Sequence, residues 1–508
     1  MRQELTKPFS WIKASMSAQP YGWALGIFIA FRLFAFAYFN GNYIDSDQCV
    51  LARQAWDFAR GQWHSPYFYG QGYNLSIEAL LAAPLIAFGM PPLWALPLVT
   101  AVLSALPWVL FSQLPQNPNQ RAFVLLSSFL WPVSYTQISL LPRGFVQGLA
   151  LAAIGLYAFY KNVPARWSLL TLCSALAMMA NPNALLLLAL AIPSLLRECS
   201  SKALLSSLPG WALAGAFYAA LKNWSQVLSP QWVHGMPNLS WEWKALGQHL
   251  TVLPDLMSHL NWLPGWAGLA LGLVFCIALL HRFQQGWAGI ALLLAILLSL
   301  GLPKLGDGTG HIFYSYGRFF LGLPLAIALA SALGTWPSFR LRIPLWLLVF
   351  LTYSYALWEF SSIRHFGNVY SPVMVYHRAT FQQHAQEVLR ASESSDCVIV
   401  GNHWVIEAGS QGYGLVVDLP PSYRPVYERR LFALNSDLDK AVDELLLLDV
   451  ELEEKSDILG HPDLIWNRIP SGLGTLYQIR SKREKSLREF LQILQLDSPS
   501  WADPKPAP

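Results

Sequence analysis

Long runs of apolar residues, separated by short polar loops, fill the first 360 residues of the chain. A helix needs roughly 20 mostly apolar residues, rising ~1.5 Å each, to cross ~30 Å of hydrocarbon. About eleven runs approach this length, so the pattern predicts a polytopic α-helical membrane module. The predicted spans lie near residues 21–39, 92–113, 122–138, 144–160, 167–180, 184–196, 203–221, 265–281, 286–302, 318–334 and 343–360.

The run from Leu75 to Gly89 is too short to be counted with the others. As a helix it reaches only about 22 Å, which is less than the thickness of the hydrocarbon core. If it lies along the membrane surface, the basic residues of the short loops all fall on one side, which the positive-inside rule makes the cytoplasm. We therefore expect an interfacial helix here. The residues placed inside are Arg2, Lys7, Lys13, Arg121, Lys161, Arg166, Arg197, Lys202, Arg282, Arg340 and Arg342.

This orientation places most acidic residues of the membrane module outside. Only ten of the 30 acidic residues precede position 361, because 20 follow it. Acids contribute little to orientation and are free to occupy outer loops, but the same asymmetry is typical of an outward-facing polar site. The acids assigned to outer loops, or to the outer end of the last span, are Asp45, Asp47, Asp57, Glu78, Glu242, Asp255, Asp307 and Glu359.

The chain becomes aqueous in character after about residue 360. Short β-type runs, some separated by helical patterns, predict a small extracytoplasmic α/β domain. We expect a cytoplasmic N-terminus over 1–20, a membrane module over 21–360 with its first outer loop at 40–91, and this domain with its tail over 361–508. The predicted strands are 397–400, 415–419, 445–450, 465–469 and 475–479, followed by a charged helix near 481–494.

Composition supports two regions in different solvents. Hydrophobic residues make up 54% of the chain and charged residues only 13%, about half the usual share for a soluble domain. The basic residues are scattered singly, which excludes a nucleic-acid groove. The five cysteines lack the spacing of a zinc site or a disulfide framework. The first apolar run is too long for a signal-peptide core and is expected to remain as an anchor.

The first outer loop carries the most distinctive acidic residues. Asp45 and Asp47 follow the first span two residues apart, an amphipathic stretch leads to Gly61, and Glu78 opens the second surface helix after a Gly/Tyr-rich turn. Either aspartate has a structural alternative, because acids at helix starts cap free N–H groups. Glu78 has the same alternative. Together the three carboxylates are also a candidate site for a divalent cation, Mg or Mn.

In this arrangement the sequence resembles the GT-C glycosyltransferases, specifically the bacterial family 39-like, or PMT_2-like, branch that uses polyprenyl-phosphate sugars. The matching segments are Asp45-Ser-Asp47 with its helix, Tyr69-Gly-Gln-Gly-Tyr73, and Glu78-Ala-Leu-Leu-Ala-Ala-Pro84. Weaker matches are Pro142-Arg143-Gly-Phe, Tyr316-Gly-Arg318-Phe and Asn402-His403-Trp404. The sequence departs from many relatives in having Gln48 in place of an acid and no acid in 139–143.

The resemblance implies an inverting transfer of a sugar from polyprenyl phosphate, with an aspartate of the first outer loop as catalytic base. We expect Asp47 in this role and Asp45 in reserve. Cations are needed to hold the phosphate, although cations in such loops also extend to lipid headgroups. The candidate substrate-binding residues are Glu78, Arg143, Lys304, His311, Arg318, Tyr73, His403 and Trp404.

The implied partners are the lipid bilayer, a polyprenyl-phosphate-linked sugar donor, and a lipid, glycan or protein acceptor, with no nucleic acid. The implied location is a bacterial inner membrane, with the C-terminal domain outside. Two other functions remain open: a transporter or flippase for lipid-linked saccharides, and a transferase-like protein without activity. A transporter is expected to carry ionisable residues at mid-membrane and to show internal symmetry, yet only Arg32 lies within a predicted span.

Overall fold

A computed structural model of the 508-residue chain describes most of the membrane module and parts of the C-terminal region. The residues it describes are 19–41, 43–44, 46–63, 65–68, 74–228, 240–303, 319–336, 339–361, 376–377, 397–400, 427–428, 441–448, 460–471 and 474–493. Its contacts define two compact units. The first comprises Met1–Phe39, Leu98–Ala219 and Pro237–His365, and the second comprises Asn40–Pro97, Ala220–Met236 and Phe366–Pro508.

The helices follow the predicted apolar runs closely. They are α1 (Pro20–Ala35, continued by a π-helical turn Phe36–Asn40), α2 (Ser46–Ala59), α3 (Ile77–Ala87), α4 (Pro92–Ser112), α5 (Pro118–Leu126), α6 (Val133–Leu140), α7 (Gln147–Tyr160), α8 (Arg166–Ala180), α9 (Ala184–Glu198), α10 (Ser201–Leu228), α11 (Trp243–Thr251), α12 (Leu253–Leu256), α13 (Gly265–Arg282), α14 (Gly286–Ser299), α15 (Gly322–Leu333), α16 (Phe339–Ser361) and α17 (Leu487–Ile493).

Four helices of the described residues are long and apolar enough, by length and composition, to cross a bilayer. They are Pro20–Asn40, Pro92–Ser112, Ser201–Trp224 and Gly265–Arg282, and a bent pair described below makes a fifth. Other predicted spans form shorter apolar helices, among them α7, α8, α14 and α15. The number eleven therefore stays a prediction. The doubtful run 75–89 forms α3, a helix of 11 residues that is too short to span.

The run predicted as one span near 122–138 is a bent pair. Helix α5 continues as a 3-10 turn over Ser127–Leu130, and α6 then leaves at an angle of 92°. Pro132 lies at the break and has no N–H to continue the helical ladder. The carbonyl oxygen of Leu130 instead accepts a hydrogen bond of 3.0 Å from the indole of Trp262. Because lipid offers no water, such replacement partners are what permit a break.

The loop before α13 packs against this break through a second contact. Ser134, in the first turn of α6, donates a hydrogen bond of 3.1 Å to the carbonyl oxygen of His259. The imidazole of His259 is itself completely buried in a 3-10 turn, Ser258–Leu260. Among the described residues neither of its ring nitrogens has a hydrogen-bond partner. Burial lowers the pKa of His259 to about 3, so the ring is neutral at physiological pH.

Polar side chains also satisfy helix ends elsewhere in the first unit. The Gln120 amide of α5 donates hydrogen bonds of 2.8 Å to the carbonyl oxygens of Ser331 and Gly334, where α15 ends. Trp241 and His249 contact the carbonyl oxygens of Leu298 and Leu300 at 2.8 and 2.6 Å, at the end of α14. These contacts supply partners to terminal carbonyls that have none within their own helix.

The second unit contains helices α2 and α3 and two small sheets. Strands β1 (Tyr43–Ile44) and β2 (Tyr376–His377) pair antiparallel, which joins the first outer loop to the start of the C-terminal region. The larger sheet has the order β4-β3-β5-β7-β6. Its strands are β3 (Cys397–Val400), β4 (Tyr427–Glu428), β5 (Ala441–Leu448), β6 (Leu464–Ser471) and β7 (Gly474–Ser486).

The larger sheet is mixed, with β3 parallel to β4 and β5, and β7 antiparallel to β5 and β6. Tyr477, Ile479 and Phe490 are completely buried and form its core. Four predicted strands are present, and the one predicted at 415–419 lies outside the described residues. The charged helix predicted from 481 was wrong over 481–486, because these residues continue β7, where Ser481 pairs with Leu464 and Lys485 with Val442. Helix α17 begins only at Leu487.

His259 makes the stability of the fold dependent on pH. Its folded-state pKa of about 3 lies below the ordinary 6.5, so its contribution is complete above pH 6.5 and is lost as the pH falls towards 3. Between pH 7.5 and 5.0 this linkage costs about 2 kcal/mol. We expect His259→Leu to lose correspondingly less stability over that interval. Unfolding in detergent at both pH values measures it, with the exposed His281→Leu as control. An equal loss in wild type and His259→Leu contradicts the prediction.

Candidate functional site

The acids of the first outer loop lie at the junction of β1 and α2. Strand β1 ends at Ile44 and α2 begins at Ser46, so Asp47 occupies the first turn of α2. The backbone therefore agrees with a structural role at a helix start, where the helix dipole favours a carboxylate. Asp45 and the carboxylate of Asp47 lie outside the described part. Gln48, which follows them, is 2% exposed and hence belongs to the buried side of α2.

Gln54 holds the segment after α2 in place. Its amide nitrogen donates to the carbonyl oxygens of Ser65 and Tyr67, at 3.0 and 2.8 Å, and its amide oxygen accepts from the Ser76 hydroxyl at 2.7 Å. Gln54 is completely buried. A single side chain thus ties α2 to both sides of the Gly/Tyr-rich turn and to the start of α3.

Backbone pairing closes the same turn. Tyr67 and Leu75 form an isolated antiparallel bridge, and the N–H of Phe68 donates to the carbonyl oxygen of Asn74 at 2.9 Å. Asn74 adopts a φ of +67°, a left-handed conformation that asparagine tolerates better than most residues. The stem of the turn is therefore fixed. Tyr73, a predicted substrate contact, lies in the intervening residues, outside those that the structure describes.

Asp57 is a buried carboxylate that the sequence did not single out. It is 3% exposed and forms an ion pair of 3.1 Å with Arg53, one helical turn earlier. Its backbone oxygen accepts from the N–H of Gln62 at 2.8 Å, just beyond the end of α2. The pair holds a cation and an anion together on α2. The i, i+4 spacing of Arg53 and Asp57 was the feature of the sequence from which this ion pair could have been predicted.

Glu78 is completely buried in the first turn of α3. An ordinary acid at a helix start keeps its carboxylate in water. Removing a carboxylate from water costs several kcal/mol unless the carboxylate is paired. A helix N-terminus supplies favourable partial charge at that position. Burial therefore separates Glu78 from an ordinary surface acid, and its assignment to the site stays a prediction.

Arg143 lies in a turn between α6 and α7, in the first unit. Its side chain is 6% exposed, and Gly144 beside it has a φ of +75°, which favours glycine. Two asparagines fix this turn from the segment between α8 and α9. The Asn181 amide donates to the Gly144 oxygen at 3.1 Å, and the Asn183 amide to the Phe145 oxygen at 2.6 Å.

The Asn181–Asn183 segment is also packed closely by neighbouring helices. A Cβ atom at Gly148, on α7, would lie 2.9 Å from the backbone oxygens of Ala177 and Asn181, and one at Gly322, on α15, 2.9 Å from that of Asn183. Only glycine fits these approaches. Arg143 thus projects from a turn that is held rigidly, which is the requirement for binding an anion at a defined position.

The remaining predicted site residues are not described. Lys304, His311, Arg318, His403 and Trp404 all lie outside the residues that the structure covers. Their assignment as substrate-binding residues stays a prediction. Among the side chains that are described, no three His, Cys, Asp or Glu residues lie close enough to hold a metal ion. Asp45 and the carboxylate of Asp47 are not among those side chains.

Several structural residues of the site escaped the sequence analysis. Gln54, Asn181 and Asn183 carry no charge, and their role depends on carbonyl groups that are distant in sequence. The one available signal was Asn181-Pro-Asn183, a polar interruption between two apolar runs.

The fold resembles that of a protein of known structure. Neither a family model nor a curated protein matches the chain in sequence. Among solved structures it is similar to the crystal structure of ArnT from Cupriavidus metallidurans bound to undecaprenyl phosphate. The TM-score is 0.55 and the identity 10%, over 90% of this chain and 98% of that one. At this identity the likeness concerns the fold alone, and the predicted fold class, a polytopic helical membrane protein with a small sheet-containing domain, is confirmed.

Proposed function

We propose that the chain is a membrane glycosyltransferase of the GT-C type. It moves a hexosyl or pentosyl group from polyprenyl phosphate to a lipid, glycan or protein acceptor at the extracytoplasmic face, with inversion. The observation that carries the proposal is the fold, shared over 90% of this chain with an ArnT structure that contains undecaprenyl phosphate. The acidic pattern of the first outer loop, found independently in the sequence, supports the same class.

The proposed reaction is a single displacement. An acceptor hydroxyl attacks the anomeric carbon, a new C–O bond forms on one face of the sugar, and the bond to the phosphate oxygen breaks on the other. The hydroxyl proton passes to a carboxylate, and polyprenyl phosphate leaves with the bonding electrons. A carboxylate positioned as base and cations aimed at the phosphate are the groups that lower this barrier.

Asp47 is the proposed base, and Asp45 its reserve. Both follow β1, which is paired with β2. Asp47 lies in the first turn of α2, and Gln54 of the same helix is hydrogen-bonded to the segment that follows it. A base must stay within hydrogen-bond reach of the proton it accepts, and regular elements position a side chain better than a free loop. If a divalent cation binds Asp45, Asp47 and Glu78, it supplies Lewis acidity towards the phosphate or the hydroxyl.

Arg143 is the proposed phosphate ligand within the described residues. Its guanidinium is buried, and the turn that carries it is fixed by Asn181 and Asn183. A planar guanidinium matches two phosphate oxygens at once, which a lysine does not.

A lipid-linked saccharide transporter remains the second candidate, and two observations favour it. Arg32 is buried within the candidate span Pro20–Asn40, and the α5–α6 span is broken. Ionisable residues at mid-membrane and discontinuous helices are features of transporters. Two assays with a labelled lipid-linked saccharide separate these functions. A transferase moves the label to an acceptor, whereas a transporter moves the labelled lipid across a vesicle membrane.

The first test concerns the proposed base. Asn in place of Asp47 keeps the size of the side chain, but it accepts a proton poorly. We expect Asp47→Asn to lose ~10² to 10⁴ in rate, with a smaller or comparable loss in Asp45→Asn. The assay is transfer from a synthetic polyprenyl-phosphate sugar by purified protein, with thermal unfolding measured alongside. Wild-type turnover in Asp47→Asn would remove Asp47 from catalysis and leave it a structural role in the first turn of α2.

A second test concerns the phosphate ligand. Loss of a charge-assisted phosphate contact costs ~1.5 to 3 kcal/mol, roughly ten- to a hundred-fold in affinity. We expect Arg143→Gln to bind polyprenyl phosphate more weakly by that factor, and Arg143→Lys to recover part of it. The control is Arg197→Gln, an exposed arginine on the predicted cytoplasmic side. Equal donor affinity in Arg143→Gln and Arg197→Gln, with both variants folded, would exclude Arg143.

A third test concerns orientation. The proposed topology places Arg483, exposed on β7, outside, and the native Cys199, exposed after α9, in the cytoplasm. We expect an impermeant maleimide to label Arg483→Cys in intact cells, and Cys199 only after the membrane is opened. Mass spectrometry of the labelled peptides distinguishes these sites, and the unsubstituted chain gives the background. Labelling in the reverse order would invert the topology.

A further inference from the structure

Three aromatic side chains of the second unit form a compact cluster at the end of α2. The ring of Trp63 stacks on that of Phe58, with centroids 4.8 Å apart and planes 21° apart. Trp224, near the end of α10, packs against Trp63 with centroids 5.7 Å apart, and its indole donates a hydrogen bond of 3.2 Å to the Trp63 backbone oxygen. The cluster therefore fixes the chain beyond α2 to the end of α10.

The cluster presents an exposed indole ring, and the residues near it in sequence are exposed and polar or cationic. Phe58 is 5% exposed, whereas Trp63 is 41% exposed although its ring is held by two neighbours. Side chains next to it in sequence, and next to Trp224, are exposed and polar or cationic. They are Arg60, Gln62, Lys222 and Asn223.

Helix α10 indicates where the cluster lies relative to the bilayer. Lys202 and Lys222 are both exposed and separated by 20 residues, and no charged residue lies between them. At ~1.5 Å per residue this interval covers about 30 Å, the thickness of the hydrocarbon core. Large apolar side chains are exposed along the interval, as on a lipid-facing helix. They are Leu204, Leu205, Leu208, Trp211, Leu213, Phe217 and Tyr218.

We propose that Phe58, Trp63 and Trp224, with Arg60 and Lys222, form an anchor that binds the headgroup boundary of the bilayer. Trp224 follows Lys222 by two residues, which puts its ring where the lipid-facing part of α10 ends. Indole rings favour this boundary because one edge is polar and the body apolar. The two cations match the phosphates of anionic headgroups. The anchor fixes the depth of the end of α2, and it does not depend on the proposed reaction.

A sugar is the competing occupant, since an exposed indole face also stacks on saccharides. The depth given by α10 favours lipid, because it puts the exposed ring at the level of the headgroups rather than in the aqueous layer. Cations beside the ring match a phosphate, whereas neutral amides and hydroxyls suffice for a neutral sugar.

The test uses a nitroxide on Gln62→Cys in the full chain, reconstituted in bilayer nanodiscs of phosphatidylcholine with or without phosphatidylglycerol. Collision rates with oxygen, which concentrates in lipid, and with a water-soluble nickel chelate report depth. We expect an oxygen-to-nickel ratio several-fold higher than for a label at Arg483→Cys, rising further with phosphatidylglycerol. The unsubstituted chain, labelled in parallel, gives the spectrum of the native cysteines to be subtracted.

Substitutions of Trp63 separate anchoring from the general fold. Trp63→Ala should move the Gln62 label towards the aqueous value, whereas Trp63→Phe, which keeps a ring, should retain most of the depth. Trp287→Ala, at an exposed tryptophan on α14, is the control and should leave it unchanged. A label at Gln62 as accessible to nickel as that at Arg483, or unaffected by Trp63→Ala, overturns the proposal. If the label at Gln62 is protected from the nickel chelate only when a soluble oligosaccharide is added, the anchor is overturned in favour of a sugar site.

Discussion

The satisfaction of backbone polar groups without water is the constraint on which the membrane module depends. Each unpaired N–H or C=O in hydrocarbon costs several kcal/mol, so helices must run unbroken or find other partners where they end. At the break between α5 and α6, Trp262 supplies a donor to the carbonyl oxygen of Leu130. At the end of α15, the Gln120 amide donates hydrogen bonds to the carbonyl oxygens of Ser331 and Gly334. These long-range contacts determine how the loops fold onto the helices.

Because of the same constraint, the residue type of a polar side chain in the module does not by itself reveal whether its role is structural or functional. Asn183 and Gln54 are buried amides, and each donates to backbone oxygens that belong to other segments. Such residues are structural, yet each holds a segment that carries a predicted site residue: Asn183 the turn of Arg143, and Gln54 the stem before Glu78. Positioning by buried amides gives the charged groups a fixed backbone without adding charge to the membrane.

The sequence predicted the helices well because the length of an apolar run depends on bilayer thickness, a single external quantity. It did not predict the bend within the span at 122–138, since averaged hydropathy does not register that Pro132 breaks the ladder and that α6 leaves at 92°. It also failed at 481–486, where charges suggested a helix but pairing with β5 and β6 extends β7. Of the candidate site, it predicted Glu78 and Arg143, whereas their burial depends on packing that no local pattern contains.

Arg32 shows how burial bears on function. Helical side chains point towards the N-terminus, and its guanidinium indeed lies over the ring of Phe28, one turn closer to the start of α1, at 5.3 Å. It donates to the Ser104 hydroxyl at 3.3 Å, near the middle of α4. It therefore does not extend towards the nearer end of α1, as a snorkelling arginine would. Both of these partners are neutral, and a buried cation with neutral partners is less stable than an apolar residue of similar size. Its burial within the span is the observation that keeps a transporter open as the second candidate function.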